Sequence, residues 1–434
     1  MRYSLGDIFA LTQTPVGRTR LMDGLYQYLW LFLAPLAFIY RRSFIRNNSL
    51  IAVVGSLGKT TTVRAVTAAL AAKSKDNRRL YRNSLSYVAT AVLKTKPSDR
   101  QAVIEVGIDR PGQMSLYAKV VKPDIVVVTS IATEHMRSLK SLEATRKEKA
   151  EMVKILSGSG IAVLNGDDAN VMWMKSQTKA KVITFGFGKD NDVRAEDLIF
   201  DWPLGMKFIL KSSAGSWSIK TRLLGRHMIY PLLAAWAVAF SQGYLPEEIL
   251  PRLQELYPTP GRLEVIPLEN GAYLLRDDFK SALETIYASL DVLAEIPAER
   301  KFLVLGDVSE PPGSVGDIYR QIGRRIAAVA TKVIIVSGNF QRYATGATHA
   351  GFPRQSLLDA DKSMIKVALE LKETLIPGDV VLVKGRSTQR LDRFALLLQG
   401  RNVKCDIRFC DNRALRCDEC PMLEKGWGNN RVVT

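Results

Sequence analysis

The stretch Ile51 to Thr62, IAVVGSLGKTTT, joins an apolar run to two glycines, a lysine and three threonines. It reads as a buried strand, a glycine loop and the first turn of a helix. Gly55 and Gly58 let the backbone curl without a Cβ clash. The loop amides, with Ser56 among them, and the N-terminus of the helix then face an anion. Lys59 adds a point charge on terminal phosphates, and Thr60, with Thr61 beside it, offers a hydroxyl to Mg²⁺. Two residues separate the glycines, where the standard P-loop has four, so the stretch points to a particular kind of P-loop. The alternative is an ordinary strand–turn–helix joint. A lysine and a threonine directly after the second glycine weigh against it.

Other chemically able residues follow. Glu105 sits near the end of the apolar run Ala102 to Val106. His135, one of three histidines, lies in a loop after the run Asp124 to Thr129. Lys149 belongs to a charged amphipathic segment, Ser141 to Leu156, beside Arg146 and Lys147. By residue type alone, Lys149 reads as a solvated helix lysine, His135 as a surface residue and Glu105 as a strand-end acid. All four cysteines, Cys405, Cys410, Cys417 and Cys420, fall in one short segment with the spacing C-x4-C-x6-C-x2-C. Two close pairs suit a structural Zn²⁺, and an Fe–S cluster is the variant of that reading. The other reading is a small reduced, thiol-rich appendage.

These residues need a scaffold, and the chain supplies one. From Leu50 onward, continuous apolar runs alternate with helical segments. The pattern predicts strands at the P-loop stretch, Ala102 to Val106, Asp124 to Thr129, Ile161 to Leu164 and Lys181 to Phe185, with a helix over Ser141 to Leu156. Uninterrupted apolar strands between helices argue for a mostly parallel sheet covered on both faces. Ligands of such sheets sit beyond the carboxyl ends of the strands. The Gly55 loop, Glu105 and the Thr129–His135 loop all lie at such ends, so they converge on one site, as an enzyme requires. Turn residues at Pro258 to Arg262 mark a boundary. A second α/β unit follows, with strands at Tyr273 to Leu275, Phe302 to Leu305, Val333 to Val336 and Val380 to Val383. The expected layout is an apolar and basic segment over 1–48, a nucleotide-binding domain over 49–256, a second α/β domain over 257–400 and a cysteine-rich tail over 401–434.

The chain has 434 residues and a net charge of +18. Nucleic acid, an anionic membrane surface or anionic substrates would each suit that charge. No nucleic-acid-binding signature occurs, so phosphate-rich substrates near a membrane are expected, and no nucleic acid. Leu25 to Tyr40, LYQYLWLFLAPLAFIY, is apolar and aromatic, with arginines on both sides. It contains Pro35 and is shorter than the ~20 apolar residues of a spanning helix. Aromatic residues beside arginines suit the headgroup interface of a bilayer. A helical hairpin packed on the next domain, or a contact with a partner chain, fits the same residues. Nothing resembles a cleavable signal peptide, so the expected location is the cytoplasm, with the inner membrane face as a peripheral option.

Taken together and in order, these segments resemble the Mur ligase family, which couples ATP cleavage to amide-bond formation. The likeness runs over roughly 50–399 and rests on GSLGKTTT, EVGIDRPGQM, KPDIVVVTSIATEHM, KSLEATRKEKAEM, AVLNGDDANV, PTPGRLEVI, LGDVSE and GDVVLVKGRS. The resemblance implies a P-loop central domain with a mostly parallel sheet and a second, Rossmann-like α/β domain. It implies ATP and Mg²⁺, with Thr60, Glu105 and His135 as metal ligands, a carbamoylated Lys149, and Arg262 and Asp278 near the nucleotide. It implies that a carboxylate is activated as an acyl phosphate and passed to an amine while the second domain closes over the first. Three departures stand out. The G-x-H-N-x-x-N pattern reads Gly225 to Pro231 without its asparagines, leaving His227. The family's aromatic-Asn-Ala-Asn-Pro or Tyr-Ala-His-x-Pro segment reads Phe279 to Leu283. The family's UDP-substrate domain is replaced by the apolar, basic segment, which suggests either a small-molecule or a lipid-linked carboxylate. The rival readings are a non-catalytic ATP-binding scaffold derived from such a ligase and a P-loop kinase.

Overall fold

The computed structural model describes residues 11–13, 15–72, 83–133, 136–407, 409–410 and 415–427. It divides into two compact units: Tyr26–Pro258, and Thr259–Thr434 together with Met1–Leu25.

Helices α1 (Pro15–Tyr28) and α2 (Trp30–Ser43) precede the first strand. The sheet of the Tyr26–Pro258 unit then begins with β1 (Ser49–Val54), whose residues after Ser49 are all buried. Helix α3 (Lys59–Ala69) starts straight after the glycine loop, and α4 (Ser86–Leu93), β2 (Gln101–Glu105), α5 (Gln113–Val121) and β3 (Ile125–Val128) follow. Next come α6 (Leu142–Lys154), β4 (Ile161–Asn165) and β5 (Lys181–Gly186). The sheet order is β2-β1-β3-β4-β5 through this part, and every one of these pairs is parallel. Strands buried on both faces have no polar side to show, which is why they read as unbroken apolar runs.

The sheet continues through β6 (Val193–Asp201), β7 (Gly205–Ser212) and β8 (Gly215–Thr221), an antiparallel meander joined in parallel to β5. The sequence reading contains no such strands. Their residues alternate buried and exposed, with Arg194, Glu196, Lys207 and Lys211 on the wet face, so no continuous apolar run marks them. Helix α7 (Tyr230–Ser241) is apolar almost throughout and lies against α3 and the sheet.

The Thr259–Thr434 unit holds a six-stranded sheet of β9 (Glu264–Pro267), β10 (Tyr273–Asp277), β11 (Lys301–Leu305), β12 (Lys332–Ile335), β13 (Leu357–Asp359) and β14 (Val380–Lys384). Its order is β13-β12-β11-β14-β10-β9, parallel except for the edge strand β9. Both units are therefore α/β with mostly parallel sheets.

Helix α2 joins the core of the first unit by a narrow face of small residues, Ala34 and Ala37, together with Arg41. Arg41 is buried, and its guanidinium donates to the carbonyls of Val121, Lys122 and Ile45 and to Asp124 Oδ2 at 2.8 Å. Asp124 Oδ2 also accepts the amide of Leu50 at 2.8 Å. One side chain thus ties α2 to the start of β1 and the end of α5. Removing it takes a donor from several carbonyls and the ion-pair partner from Asp124. Arg41→Met should lower the urea unfolding free energy by about 2–4 kcal/mol, whereas Arg46→Met, at an exposed position, should change it by less than about 0.5 kcal/mol.

Candidate active site

Strand register decides what surrounds the glycine loop. Val53 on β1 stands beside Glu105 on β2, and Val54 stands beside Val128 on β3. The chain leaving β3 therefore runs past the loop leaving β1. Gly55 has φ of +139°, and a Cβ there would lie 2.0 Å from Thr129 Oγ1. Only glycine fits. Thr129 Oγ1 donates to Leu57 O at 2.6 Å, and Ser56 donates its amide to Ser130 O at 2.7 Å. The amide of Ala132 donates to Ser56 Oγ at 3.0 Å, and the amide of Leu57 to Ser130 Oγ at 3.2 Å. Gly58, with φ of +81°, caps α3. Lys59, Thr60 and Thr61 form the first turn of that helix and are buried. Lys59 Nζ donates to Gly55 O and Ser56 O at 2.9 Å each, which holds the ammonium over the loop.

Helix α6 brings in the second cation. Ser141 caps it by accepting the amide of Ala144 at 3.0 Å. Thr145, Lys149, Met152 and Val153 share its buried face, while Lys147 turns outward to Glu143 and Arg146 lies over the Trp173 ring. Lys149 is only 3% exposed and donates to Ser56 Oγ at 3.1 Å. The solvated-lysine reading is thereby corrected. The helical period puts Lys149 in line with Thr145, Met152 and Val153 and away from Lys147.

Glu105 ends β2 with one carboxylate oxygen engaged and one open. Asn83 Nδ2 donates to Oε1 at 2.6 Å. Oε2 is buried and has no hydrogen-bond partner among the described residues. A buried carboxylate oxygen without a partner is costly unless a donor or cation completes it. Together with the Thr60 hydroxyl on the adjacent helix turn, it suits a hard divalent cation such as Mg²⁺, which prefers oxygen ligands. His135, expected in the same role, lies outside the described residues.

The neighbouring strand ends are braced as well. Asn165 Nδ2 donates to Thr129 O at 2.8 Å, and Asp168 Oδ2 accepts the amide of Ile131 at 2.8 Å. Asp167 accepts the amides of Phe187 and Gly188 and the hydroxyl of Tyr230. Burial pushes its carboxyl up, but these donors outweigh that and hold it below the usual range. His227 lies in the short turn Arg226–Met228, where the Arg226 guanidinium sits 3.9 Å from the Phe187 ring centroid.

Arg262 and Asp278 belong to the other unit. The Arg262 guanidinium lies 5.0 Å from the centroid of the Phe279 ring. Asp278 follows β10 and accepts from Arg276 Nε at 2.9 Å. Burial, against the pull of Arg276, pushes its carboxyl up to about 6, and Asp392 adds to the shift. On the neighbouring strand, Lys384 Nζ donates to Asp277 Oδ2 at 2.6 Å, and burial lowers its pKa.

The cysteine tail departs from the metal expectation. Among the described residues no group of three or more His, Cys, Asp or Glu side chains is arranged to hold a metal ion. Cys405 lies in a small apolar cluster with Val16, Ile407, Met422 and Trp427, against which Cys410 and Cys420 pack. Its Sγ accepts from Trp427 Nε1 at 3.2 Å. Cys417 faces a different core. Burial raises the pKa of both Cys417 and Cys420. Among the described residues the cysteines pack the tail against its apolar neighbours.

Sequence reasoning missed Asn83, Thr129, Asn165 and Asp168. Asn165 and Asp168 sit just after a strand in a polar cluster, a signal that was available. Asn83 had none, because it meets Glu105 across 22 residues of chain.

Comparison with known proteins identifies the family. The family profile "Mur ligase middle domain" matches residues 53–239, and "Mur ligase, glutamate ligase domain" matches 261–387. A UDP-N-acetylmuramoyl-tripeptide–D-alanyl-D-alanine ligase of Synechocystis is 30% identical over 363 residues, covering 81% of this chain and 75% of that protein. The protein of the same name from Escherichia coli is 28% identical over 354 residues, covering 80% and 76%. Among solved structures, MurF from Acinetobacter baumannii superposes with a TM-score of 0.75 at 22% identity, covering 86% of this chain and 81% of that one. MurF from Thermotoga maritima, in complex with ADP, gives 0.71 at 20% identity, covering 86% and 83%. These likenesses show the fold.

The crowding at Gly55 gives a direct test. Gly55→Ala should abolish saturable ADP binding in calorimetry, because the new methyl must displace Thr129 and with it the loop. Gly112→Ala, which also has positive φ but open space around its Cβ, should leave ADP binding within about twofold while costing roughly 1 kcal/mol of stability.

Proposed function

The chain belongs to the Mur ligase family of ATP-dependent carboxylate–amine ligases, and from that premise we propose that it joins a peptide carboxylate to the amine of an amino acid or dipeptide through an acyl phosphate. The observation that carries this reading is that Lys59 and Lys149 both donate to one glycine loop, while Glu105, beside Val53 at the adjoining strand end, keeps a buried oxygen without a partner among the described residues. A scaffold that only senses nucleotide has no use for a buried lysine aimed at the loop. A kinase acting on a hydroxyl leaves the glutamate ligase domain without a task.

The steps follow from the residues. The loop amides and the N-terminus of α3 hold the β- and γ-phosphates of ATP. Lys59 shifts from the loop carbonyls to the γ-phosphate and offsets charge as the phosphoryl group moves. Thr60 and Glu105 would hold Mg²⁺, with His135 as the further ligand the family resemblance implies. When bound, the metal screens phosphate charge so that an anionic carboxylate can approach. A carboxylate oxygen attacks the γ-phosphorus, the bond to the β-phosphate oxygen breaks, and ADP leaves. The amine nitrogen then attacks the acyl carbon, phosphate departs, and the nitrogen loses a proton. Lys149 holds Ser56, and with it the loop, in place. A carbamate on Lys149, which the resemblance implies, would give this nitrogen an anionic group beside the metal site. Excluding water from the acyl phosphate is the task left to closure of the site.

Isotope transfer tests the intermediate. The UDP-N-acetylmuramoyl tripeptide and D-alanyl-D-alanine named for the relatives are the first pair to offer, with ¹⁸O in the tripeptide carboxylate. The expected result is phosphate carrying ¹⁸O, formed only when acid, amine and ATP are all present, and none from Lys59→Ala. Phosphate without the label, or phosphate found on a hydroxyl, would overturn the reading. Separately, Glu105→Gln should raise the Mg²⁺ concentration needed for ADP binding by about tenfold or more, while metal-free ADP binding stays as in the parent.

A further inference from the structure

Helix α2 carries apolar residues nearly all round, WLFLAPLAFIYRRS, yet only one side of it is covered. Ala34, Ala37 and Arg41 face the core. Leu31 and Phe32 are each 75% exposed, Leu36 55% and Ile39 57%. Phe32, Leu36 and Ile39 follow the i, i+4, i+7 rule and form one outward stripe. Tyr28 and Leu29 extend it at one end and Phe44 at the other, all exposed. A helix apolar on every side belongs in a core or against another apolar phase, and contiguous patches of this kind mark interaction sites.

We propose that the outer face of α2 docks on an anionic phospholipid bilayer, lying in the plane of the surface with its apolar stripe at the boundary between headgroups and acyl chains. The rim of the patch chooses the partner. The Arg42 guanidinium lies 3.4 Å from the centroid of the Phe38 ring and donates to Lys119 O, so it stands where the apolar stripe ends. Arg46, Lys119 and Lys122 are exposed near the same end. Asp124 is already engaged by Arg41, and the sequence from Gly24 to Lys75 contains neither Asp nor Glu. Basic residues beside an apolar, aromatic face match the charge and layering of an anionic membrane surface. A second copy would bring one basic rim against another. No single helix among the described residues is long and apolar enough to cross a membrane, and the 14 residues of α2 reach about 21 Å against ~30 Å of hydrocarbon. The pair α1 and α2, bent by 59° at their junction, passes that test by length and composition only, but the buried Arg41 fastens α2 along the side of the sheet unit, which suits a helix lying on the surface.

Flotation of the full-length chain with phosphatidylcholine vesicles, with and without phosphatidylglycerol, tests this. The protein should float with the anionic vesicles and far less with the neutral ones, and added salt should weaken it. Leu31→Ser/Phe32→Ser/Leu36→Ser should lower vesicle affinity roughly tenfold or more. Its substitutions are all at exposed positions, so its circular dichroism and ADP binding should match the parent. Arg46→Ala/Lys119→Ala should lower affinity roughly fivefold for each charge removed. Absence of flotation by the parent protein would overturn the proposal. So would equal flotation by the serine variant, or a concentration-dependent dimer that the serine variant abolishes while neither protein floats.

Discussion

A threonine hydroxyl occupies the space that a side chain at position 55 would need. From this one contact the rest of the site takes its shape. Because Gly55 can lie against Thr129, the loop after β1 and the chain after β3 are bound together by four short hydrogen bonds. Asn165 then fixes the carbonyl of Thr129 from the end of β4, and Asp168 fixes Ile131. Three adjacent strand ends become one rigid rim. The backbone of the loop is thereby held without any ligand, its Ser56 and Leu57 amides given to Ser130, and a preorganised frame is what an electrostatic site needs in order to avoid reorganising during reaction.

Much of this was readable from the residues, and the reasons differ from case to case. The inner strands of both sheets could be placed within a residue or two because burial on both faces leaves an unbroken apolar signature, whereas the short edge strands β9 and β13, with partly exposed residues, carry no such run and were not readable. The loop was readable because glycine, lysine and threonine at that spacing have few other uses. The meander β6–β8 was not, since its wet face carries Arg194, Lys207 and Lys211 and hides the strand signal. Lys149 was a harder case. Its neighbours Arg146 and Lys147 make the local composition look solvated, and only the periodicity with Thr145, Met152 and Val153 reveals the buried face. The cysteine spacing was plain, but spacing carries no information on burial, and the packing of Cys405 and Cys417 into two different apolar clusters could not be read from it.

The two units meet the problem of buried charge in opposite ways. Around the glycine loop, Glu105 keeps an oxygen open and the lysines rest on neutral oxygens of the loop. In the Thr259–Thr434 unit, Lys384 is paired with Asp277, and Arg276 with Asp278 and, at 3.7 Å, Asp418. A buried pair of that kind adds little net stability over an apolar pair of the same volume. What it does add is position. Register sets Lys384 beside Asp277 on adjacent strands, and Asp278 is crowded enough that a Cβ on Gly261 would lie 2.5 Å from its Oδ1. Burial drives the Asp278 carboxyl and the Lys384 ammonium each toward the neutral form. The paired side chains are thus fixed in register at neighbouring strand ends, whereas Glu105 keeps one buried oxygen without a partner among the described residues.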